Sequence, residues 1–439
     1  MSIRGKAVIV GAYEHPRREI PDRTIAQIHR EVAVGALADA GLTLADVDAY
    51  FCDSTAPGFG PVSMSEYLGL SARYFDSTET GGSSYLSHVG HAAAAIATGK
   101  CRVALITLAG RPRTGGAMPG GAQRRVDSPE AGFEQVGIFS PAGNYALSAS
   151  RHMHEFGTTS EQLAWIKVAA SEHAQHNPHA LLPDVVTVDD VLASPMVADP
   201  LHRLDCCVVT DGGGALVVVH PDVARELGRA GASVLGHGEA LKHGDAGRVD
   251  LTYSAARWSG PAAFAEAEVA PDDIQYASIY DSFTITVLIA LEDLGFCEKG
   301  KGGALVADGA LRSPDGRLPF NSDGGGLCNN HPANRGGMTK VIEAVRQLRG
   351  EAHPAVQVPG SSWPSPTARA APSPRVTAVS PSCSQRGRDE RAPGEPAGVQ
   401  RGSLSLLGGH RRGPPGAACV QRLRSPHLVP ALVVPCVRP

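Results

Sequence analysis

The sequence nowhere runs through the ~18 consecutive apolar residues that a membrane-crossing helix needs. Its first ten residues, MSIRGKAVIV, also lack the apolar stretch of a secretory signal. These absences predict a cytoplasmic protein with no membrane span. Aromatic residues supply only 5% of the chain, too little for an aromatic-rich binding module. Nine cysteines are present, Cys206 and Cys207 side by side, but none forms a C-x-x-C pair. Neither a zinc site nor a disulfide framework is therefore indicated, and reduced thiols are expected. No G-x-G-x-x-G occurs, which removes the dinucleotide-binding fingerprint. His152 and His154 stand two apart on a polar stretch and are expected to face solvent, so no metal site is assigned.

What remains is a chain of 439 residues, 42% hydrophobic and with 51 glycines, ample for a buried core of helices packed closely on sheets. An α/β enzyme is the natural reading. The net charge of -4 conceals a division near residue 360. Residues 361–439 hold 11 Arg, 3 acidic residues, 13 of the 33 prolines and no Lys, Ile, Phe, Tyr, Asn or Met. That tail carries +8 and leaves -12 on residues 1–360. It shows neither helical nor strand periodicity and is expected to be disordered. A basic arm for nucleic acid is one reading, opposed by the acidic body. The favoured reading is the wrong frame of a GC-rich gene, which encodes Arg, Pro, Ala, Gly and Ser.

The body repeats itself. AGLTLADVDAYFCDS at residues 40–54 and AEVAPDDIQYASIYD at residues 267–281 match in pattern at an offset of 227. Each reads as the end of a helix, an acidic turn at Asp46 or Asp273, then an apolar strand. Gly-rich loops leading into helices form a second pair, at residues 81–99 and 324–350. Residues 24–40 predict an amphipathic helix, residues 7–10 and 103–108 strands, and residues 206–219 a strand, a glycine turn and a strand. The expected division is residues 1–205, residues 206–360 with the last strands missing, and the tail. An irregular stretch at residues 111–144 and a helix at 159–176 are expected to form an insertion, about 111–200, over one face of the first half. Its Arg111, Arg113, Arg124 and Arg125 could hold phosphates or simply line a solvated loop.

Three segments could carry chemistry. At residues 79–99, ETGGSSYLSHVGHAAAAIATG places Gly82, Ser83 and Ser84 at the start of a helix, where negative charge is stabilised; a tight turn with serine caps explains the same residues. LPFNSDGGGLCNNHPANRGGM at residues 318–338 gathers Gly324, Gly325, Cys328, Asn330 and His331, a histidine suited to donating to an oxyanion or moving a proton. SIYDSFTITV at residues 278–287 puts Tyr280 and Asp281 at the carboxyl end of a strand, where α/β folds place ligands. Tyr280 as a core residue and Asp281 as a helix cap are the alternatives.

The order of these loops, with AAAAIATGKCRVALITLAG, DCCVVTDGGGALVVV, NSDGGGLCNNHPANRGG and IEAVRQLRG, resembles the thiolase superfamily over residues 1–360. In detail it resembles the sterol-carrier thiolases and lipid-transfer proteins. The resemblance implies a duplicated five-layer αβαβα fold, a homodimer, acyl-CoA substrates and no cofactor beyond the coenzyme A of the substrate. Gly82 falls where thiolases carry their nucleophilic cysteine, His331 matches the histidine of a G-H-P motif with Asn330 in place of its glycine, and Tyr280 takes the place of the histidine in H-D-A-F. The family's terminal Gly-rich motif should follow residue 360, where SSWPSPTARAAPSP stands instead. Without a thiolate the chain is similar to the steroid side-chain aldolases. They cleave a β-hydroxyacyl-CoA by a retro-aldol step and require a small partner with an OB-like fold and a zinc ribbon. Tyr280 and His331 are then the catalytic candidates, with Gly82, Ser83, Ser84, Asp281, Gly324, Gly325 and Asn330 around the substrate. The aldolases' second tyrosine is replaced by Asn329 or Asn330. Acyl transfer through Cys328 and a non-catalytic acyl-CoA or lipid carrier are the other readings.

Overall fold

The computed structural model describes residues 2–115, 140–242, 249–332, 336–360, 376–380 and 432–436. Strand β1 (Ala7–Glu14) leads to helix α1 (Ile25–Ala40), which starts at a Thr24/Gln27 capping box and stops at Gly41 in the left-handed region. Strand β2 (Ala49–Phe51), helix α2 (Pro61–Leu68) and strand β3 (Tyr74–Asp76) follow. Helix α3 (Ser84–Ala97) and strand β4 (Val103–Gly110) complete this region. Next come α4 (Pro141–Phe156), α5 (Ser160–Ala174), α6 (Val188–Ala193) and the hairpin β5 (Met196–Ala198) and β6 (Leu201–His202).

Strand β7 (Gly212–Val219), helix α7 (Pro221–Leu227) and strand β8 (Ala232–Val234) precede α8 (Ala256–Ala267), β9 (Tyr276–Ile279) and α9 (Thr284–Asp293). The chain continues through α10 (Gly302–Ala307), the single turn α11 (Gly325–Cys328) and α12 (Gly337–Arg349) to β10 (Val376–Ser380) and β11 (Leu432–Cys436). The main sheet has the order β3-β2-β4-β7-β1-β8-β11-β10-β9.

Alternation along the strands sorts the core into layers. Val103, Leu105, Ala215, Val217 and Val219 pack with α1, while Ala104, Ile106, Leu216 and Val218 turn to the opposite face and meet α3 and α12. Tyr276 of β9 joins that same central cluster, and Ala277 and Ile279 point away from it into a third cluster with α9. Helices α3 and α12 thus lie between the β1–β4–β7 part of this one sheet and its β9 end, with α1 and α9 outside, a five-layer arrangement in which the sheet supplies both strand layers.

The structure corrects several expectations. Residues 212–214 are strand, not a glycine turn, because neighbouring groups leave no room for side chains: a Cβ on Gly213 would lie 2.0 Å from the Leu108 carbonyl oxygen. This strand, expected to open the second half, pairs instead between β1 and β4 of the first, its side chains buried on both faces. Helices α4 and α5 share a core with α9 and Leu327, so the expected insertion packs on the second half rather than the first. Residues 141–144 are already helical, and Arg124 and Arg125 lie outside the described residues. Of the tail, expected to be disordered, the described residues are β10, parallel to β9, and β11, antiparallel to β10; both coincide with its β-branched stretches, VTAVS and LVVPC, and the rest of that expectation lies outside the described residues. His154 is exposed, but His152 is fully buried against Glu292 and Thr158, since the narrow apolar stripe of α4 carries it inward. Among the described residues no helix is long and apolar enough to cross a membrane, and no cluster of ligating side chains suits a metal ion.

Candidate active site

Tyr280 is the first residue beyond β9 and is 4% exposed. Its hydroxyl lies 2.8 Å from Nε2 of His331, and the two rings stack at 5.5 Å and 20°. The strand end is held by Asn321, whose side-chain amide accepts from the Ile279 N–H and donates to the Ile279 carbonyl, both at 2.8 Å. One side chain thereby imitates a paired strand at the point where the backbone must turn. Asn321 itself has φ 39°, a conformation asparagine tolerates better than most residues.

His331 is positioned from behind. Its backbone N–H donates to Oγ1 of Thr210 at 3.0 Å, and that hydroxyl donates to Oδ1 of Asn330 at 2.6 Å. Asn330 donates in turn to Glu14 at 2.8 Å, and Glu14 is paired with Arg18 and Arg346. Burial alone would raise the Glu14 carboxyl, but the two guanidinium charges and Asn330 outweigh it and hold the group down to about 2. Asn329 is tied to the same network through Arg18 and Asp323. Neither asparagine is free to stand in for a second catalytic tyrosine, because both carboxamides are already committed.

Asp281 turns away from Tyr280. Its carboxylate accepts from the N–H groups of Gly326 and Leu327 at 2.8 and 3.1 Å and pairs with Lys340 at 2.9 Å, all fully buried. It caps α11, not α9, and shapes the glycine loop. A Cβ on Gly325 would lie 2.1 Å from Oδ2 of Asp281, and Gly324 and Gly325 both have positive φ. Gly325 is thus confined by the Asp281 anchor, whereas a Cβ on Gly324 would lie 2.6 Å from Cβ of Ala174. Ser83 and Ser84 are buried, their hydroxyls donating to the carbonyls of Thr80 and Gly81, which makes them turn-builders. Gly82 does meet Tyr280: a Cβ there would fall 2.3 Å from Cζ and 2.5 Å from the hydroxyl oxygen.

The structure thus brings Gly82, Tyr280 and His331 together, while the side chains of Ser83, Ser84, Asp281 and Asn330 bond to neighbouring groups of the protein. Cys328 is fully buried, with Lys167 donating to its Sγ at 3.0 Å. Burial pushes its thiol up, with the Lys167 charge pulling the other way. Arg111 and Arg113 are spent on the Arg23 and Pro21 carbonyls and on Glu19. Sequence reasoning missed Thr210, Glu14, Asn321 and Lys340. The signal for Lys340 was ambiguous: Lys340, Glu343 and Gln347 are spaced like a solvated helix face, yet all three are buried.

Known proteins resemble this chain in sequence and fold. Residues 238–364 match the family described as Thiolase C-terminal domain-like. The chain is 34% identical over 360 residues to an acetyl-CoA acetyltransferase of Methanothermobacter thermautotrophicus, covering 78% of this chain and 91% of that protein. It is 33% identical over 362 residues to the steroid side-chain-cleaving aldolase of Thermomonospora curvata, covering 79% and 91%. Among solved structures, the Ltp2-ChsH2(DUF35) aldolase superimposes with a TM-score of 0.75 at 31% identity, over 87% of this chain and 95% of that one.

Proposed function

This chain belongs to the thiolase superfamily, in its lipid-transfer and sterol-carrier group, and from that footing we propose that it cleaves a β-hydroxyacyl-CoA by a retro-aldol reaction. The observation that carries the proposal is the occupancy of the site: a tyrosine hydroxyl, bonded to a histidine, fills the space beside a glycine at position 82. No thiol stands there to take up an acyl group.

In the proposed reaction the substrate's β-hydroxyl gives its proton to the Tyr280 hydroxyl, which passes its own proton to Nε2 of His331. The β-oxygen then becomes a carbonyl as the Cα–Cβ bond breaks. The electron pair of that bond moves onto the thioester as an enolate, and a proton returned to Cα completes a ketone and a shortened acyl-CoA. Helix α3 begins two residues after Gly82. Its N-terminal end supplies the positive field that an enolate oxygen requires. Coenzyme A enters as part of the substrate and no further cofactor has a role. A homodimer, and a small OB-fold and zinc-ribbon partner, belong to the same proposal; the solved relative is itself named as a two-protein aldolase, Ltp2-ChsH2(DUF35).

The competing reading is acyl transfer, the activity named for the Methanothermobacter thermautotrophicus relative. It would need Cys328, which is walled in behind Lys167. The deciding experiment is mass spectrometry of products formed from a β-hydroxyacyl-CoA and, separately, from a 3-ketoacyl-CoA with free CoA. The protein is supplied alone and with the ChsH2(DUF35) protein of the solved relative. Ketone and shortened acyl-CoA from the first substrate only are expected, with turnover unchanged in Cys328→Ala. Thiolysis of the second substrate that disappears in Cys328→Ala would replace the lyase with the transferase.

A further inference from the structure

The glycines around Tyr280 differ in why they are glycine. Gly81 has φ 70° and nothing within 4 Å of an added Cβ, so its backbone conformation is the reason. Gly82 and Gly336 are absent from the positive-φ residues, Gly336 having φ -60° and ψ -14°. Any residue could adopt such a backbone, yet both positions are closed by the same ring. A Cβ on Gly82 would meet Cζ of Tyr280 at 2.3 Å, and one on Gly336 would meet Cε2 at 2.5 Å. Behind them α12 abuts the loop so closely that a Cβ on Gly337 would lie 2.2 Å from the Gly82 carbonyl oxygen. His331 stacks on the ring and completes the enclosure.

We infer that Gly82 and Gly336 form a slot cut for the Tyr280 ring, and that position 82 selects the reaction: a side chain there and the tyrosine hydroxyl beside His331 exclude one another. This deepens the lyase reading and rests on it for its functional meaning. A thiol at position 82 would sit at the start of α3, where thiolates are stabilised. Its sulfur would attack a thioester carbonyl, the new C–S bond replacing the bond to the CoA sulfur, and CoA would leave carrying the proton lost by the thiol. Tyr280 occupies the volume this sulfur needs, so the chain cannot acquire covalent acyl transfer by one substitution; the ring must leave as well.

Thermal unfolding of Gly82→Ala tests the slot in the native, Tyr280→Phe and Tyr280→Ala backgrounds. A loss of roughly 5 °C or more is expected in the first two, where the ring remains, and a much smaller loss in the third. Equal losses in all three backgrounds, or none in the first two, would overturn the inference. In a second arm, Gly82→Cys and Gly82→Cys/Tyr280→Ala are incubated with isotopically labelled acetyl-CoA and protein-bound acetyl is measured. The double variant is expected to acylate at least ~10-fold faster, and equal rates would refute the exclusion. Should Gly82→Cys fail to fold, the alanine series still decides. Neither readout depends on retro-aldol turnover, so a chain that shows no lyase activity but passes both tests loses the functional reading and keeps the slot.

Discussion

The ends of β2 and β9 occupy equivalent places in two copies of one local pattern. Helix α1 ends at Ala40 and α8 at Ala267, 3-10 turns span Leu44–Asp46 and Pro271–Asp273, and the strands start at Ala49 and Tyr276. Every one of these landmarks is offset by 227. The same offset places Asp53 opposite Tyr280, and there the copies part. Asp53 accepts from the N–H and hydroxyl of Thr55 and from the Tyr85 hydroxyl, a sealed carboxylate. Tyr280 meets His331 and Gly82. Both strand ends close on the same stretch of chain, residues 82–85. A duplicated scaffold has been given a structural latch at one end and the hydrogen-bonded Tyr280–His331 pair, the proposed acid–base pair, at the other.

That contrast predicts separable effects. Tyr280→Phe keeps the ring and removes the hydroxyl, so turnover should fall by ~10²–10⁴-fold with little change in unfolding free energy. Asp53→Ala should do the reverse, costing about 2 kcal/mol in denaturant unfolding and changing turnover far less. Similar turnover losses in the two variants would erase the distinction.

The frame beneath Tyr280 is expected to matter nearly as much to stability as the hydroxyl does to rate. Lys340→Met leaves the Asp281 carboxylate buried without its cation and should cost about 3–5 kcal/mol. A loss under ~1 kcal/mol in urea titration would mean that the backbone donors of Gly326 and Leu327 suffice to hold Asp281.

The smallest effect should appear as pH dependence. Burial, reinforced by Asp323, pushes Glu343 up to about 7 against the pull of Arg346. A carboxyl raised on folding holds its proton more tightly in the native state, so its contribution is fully present below the ordinary value of 4.5 and is lost as pH rises through about 7. Glu14 behaves oppositely: its contribution is lost as pH falls from 4.5 towards about 2. Glu343→Gln should therefore flatten the melting temperature between pH 5 and pH 7 and raise it at pH 8, leaving the acid limb unchanged. The same slope between pH 5 and pH 7 in both proteins would assign that slope to another group.

The duplicated pattern was legible because its signals are local. The Thr24/Gln27 capping box and the acidic turns at Asp46 and Asp273 act within a few residues of chain. Tyr280 was legible as a strand-end residue and His331 as a histidine in a glycine loop. Their pairing came from the resemblance, since they stand 51 residues apart. Asp281 was singled out because it stands at the carboxyl end of a strand and Asn330 because it lies in a glycine loop; what neither signal could give is that both are buried and bonded to distant protein groups. The placement of α4 and α5 on the second half was illegible for a related reason, because an apolar stripe specifies that it will be covered and not by what.

The sequence by itself therefore determined the α/β class, the repeat, the family and the absence of a thiol at position 82, all properties carried by residue identity and short-range spacing. Only the tertiary structure decided that Gly82 and Gly336 are glycine to admit a ring, that Thr210 and Glu14 hold the histidine, and that Lys340 is buried against Asp281. Each of these depends on atoms brought together from distant parts of the chain, and close packing leaves one of them no freedom once the others are placed.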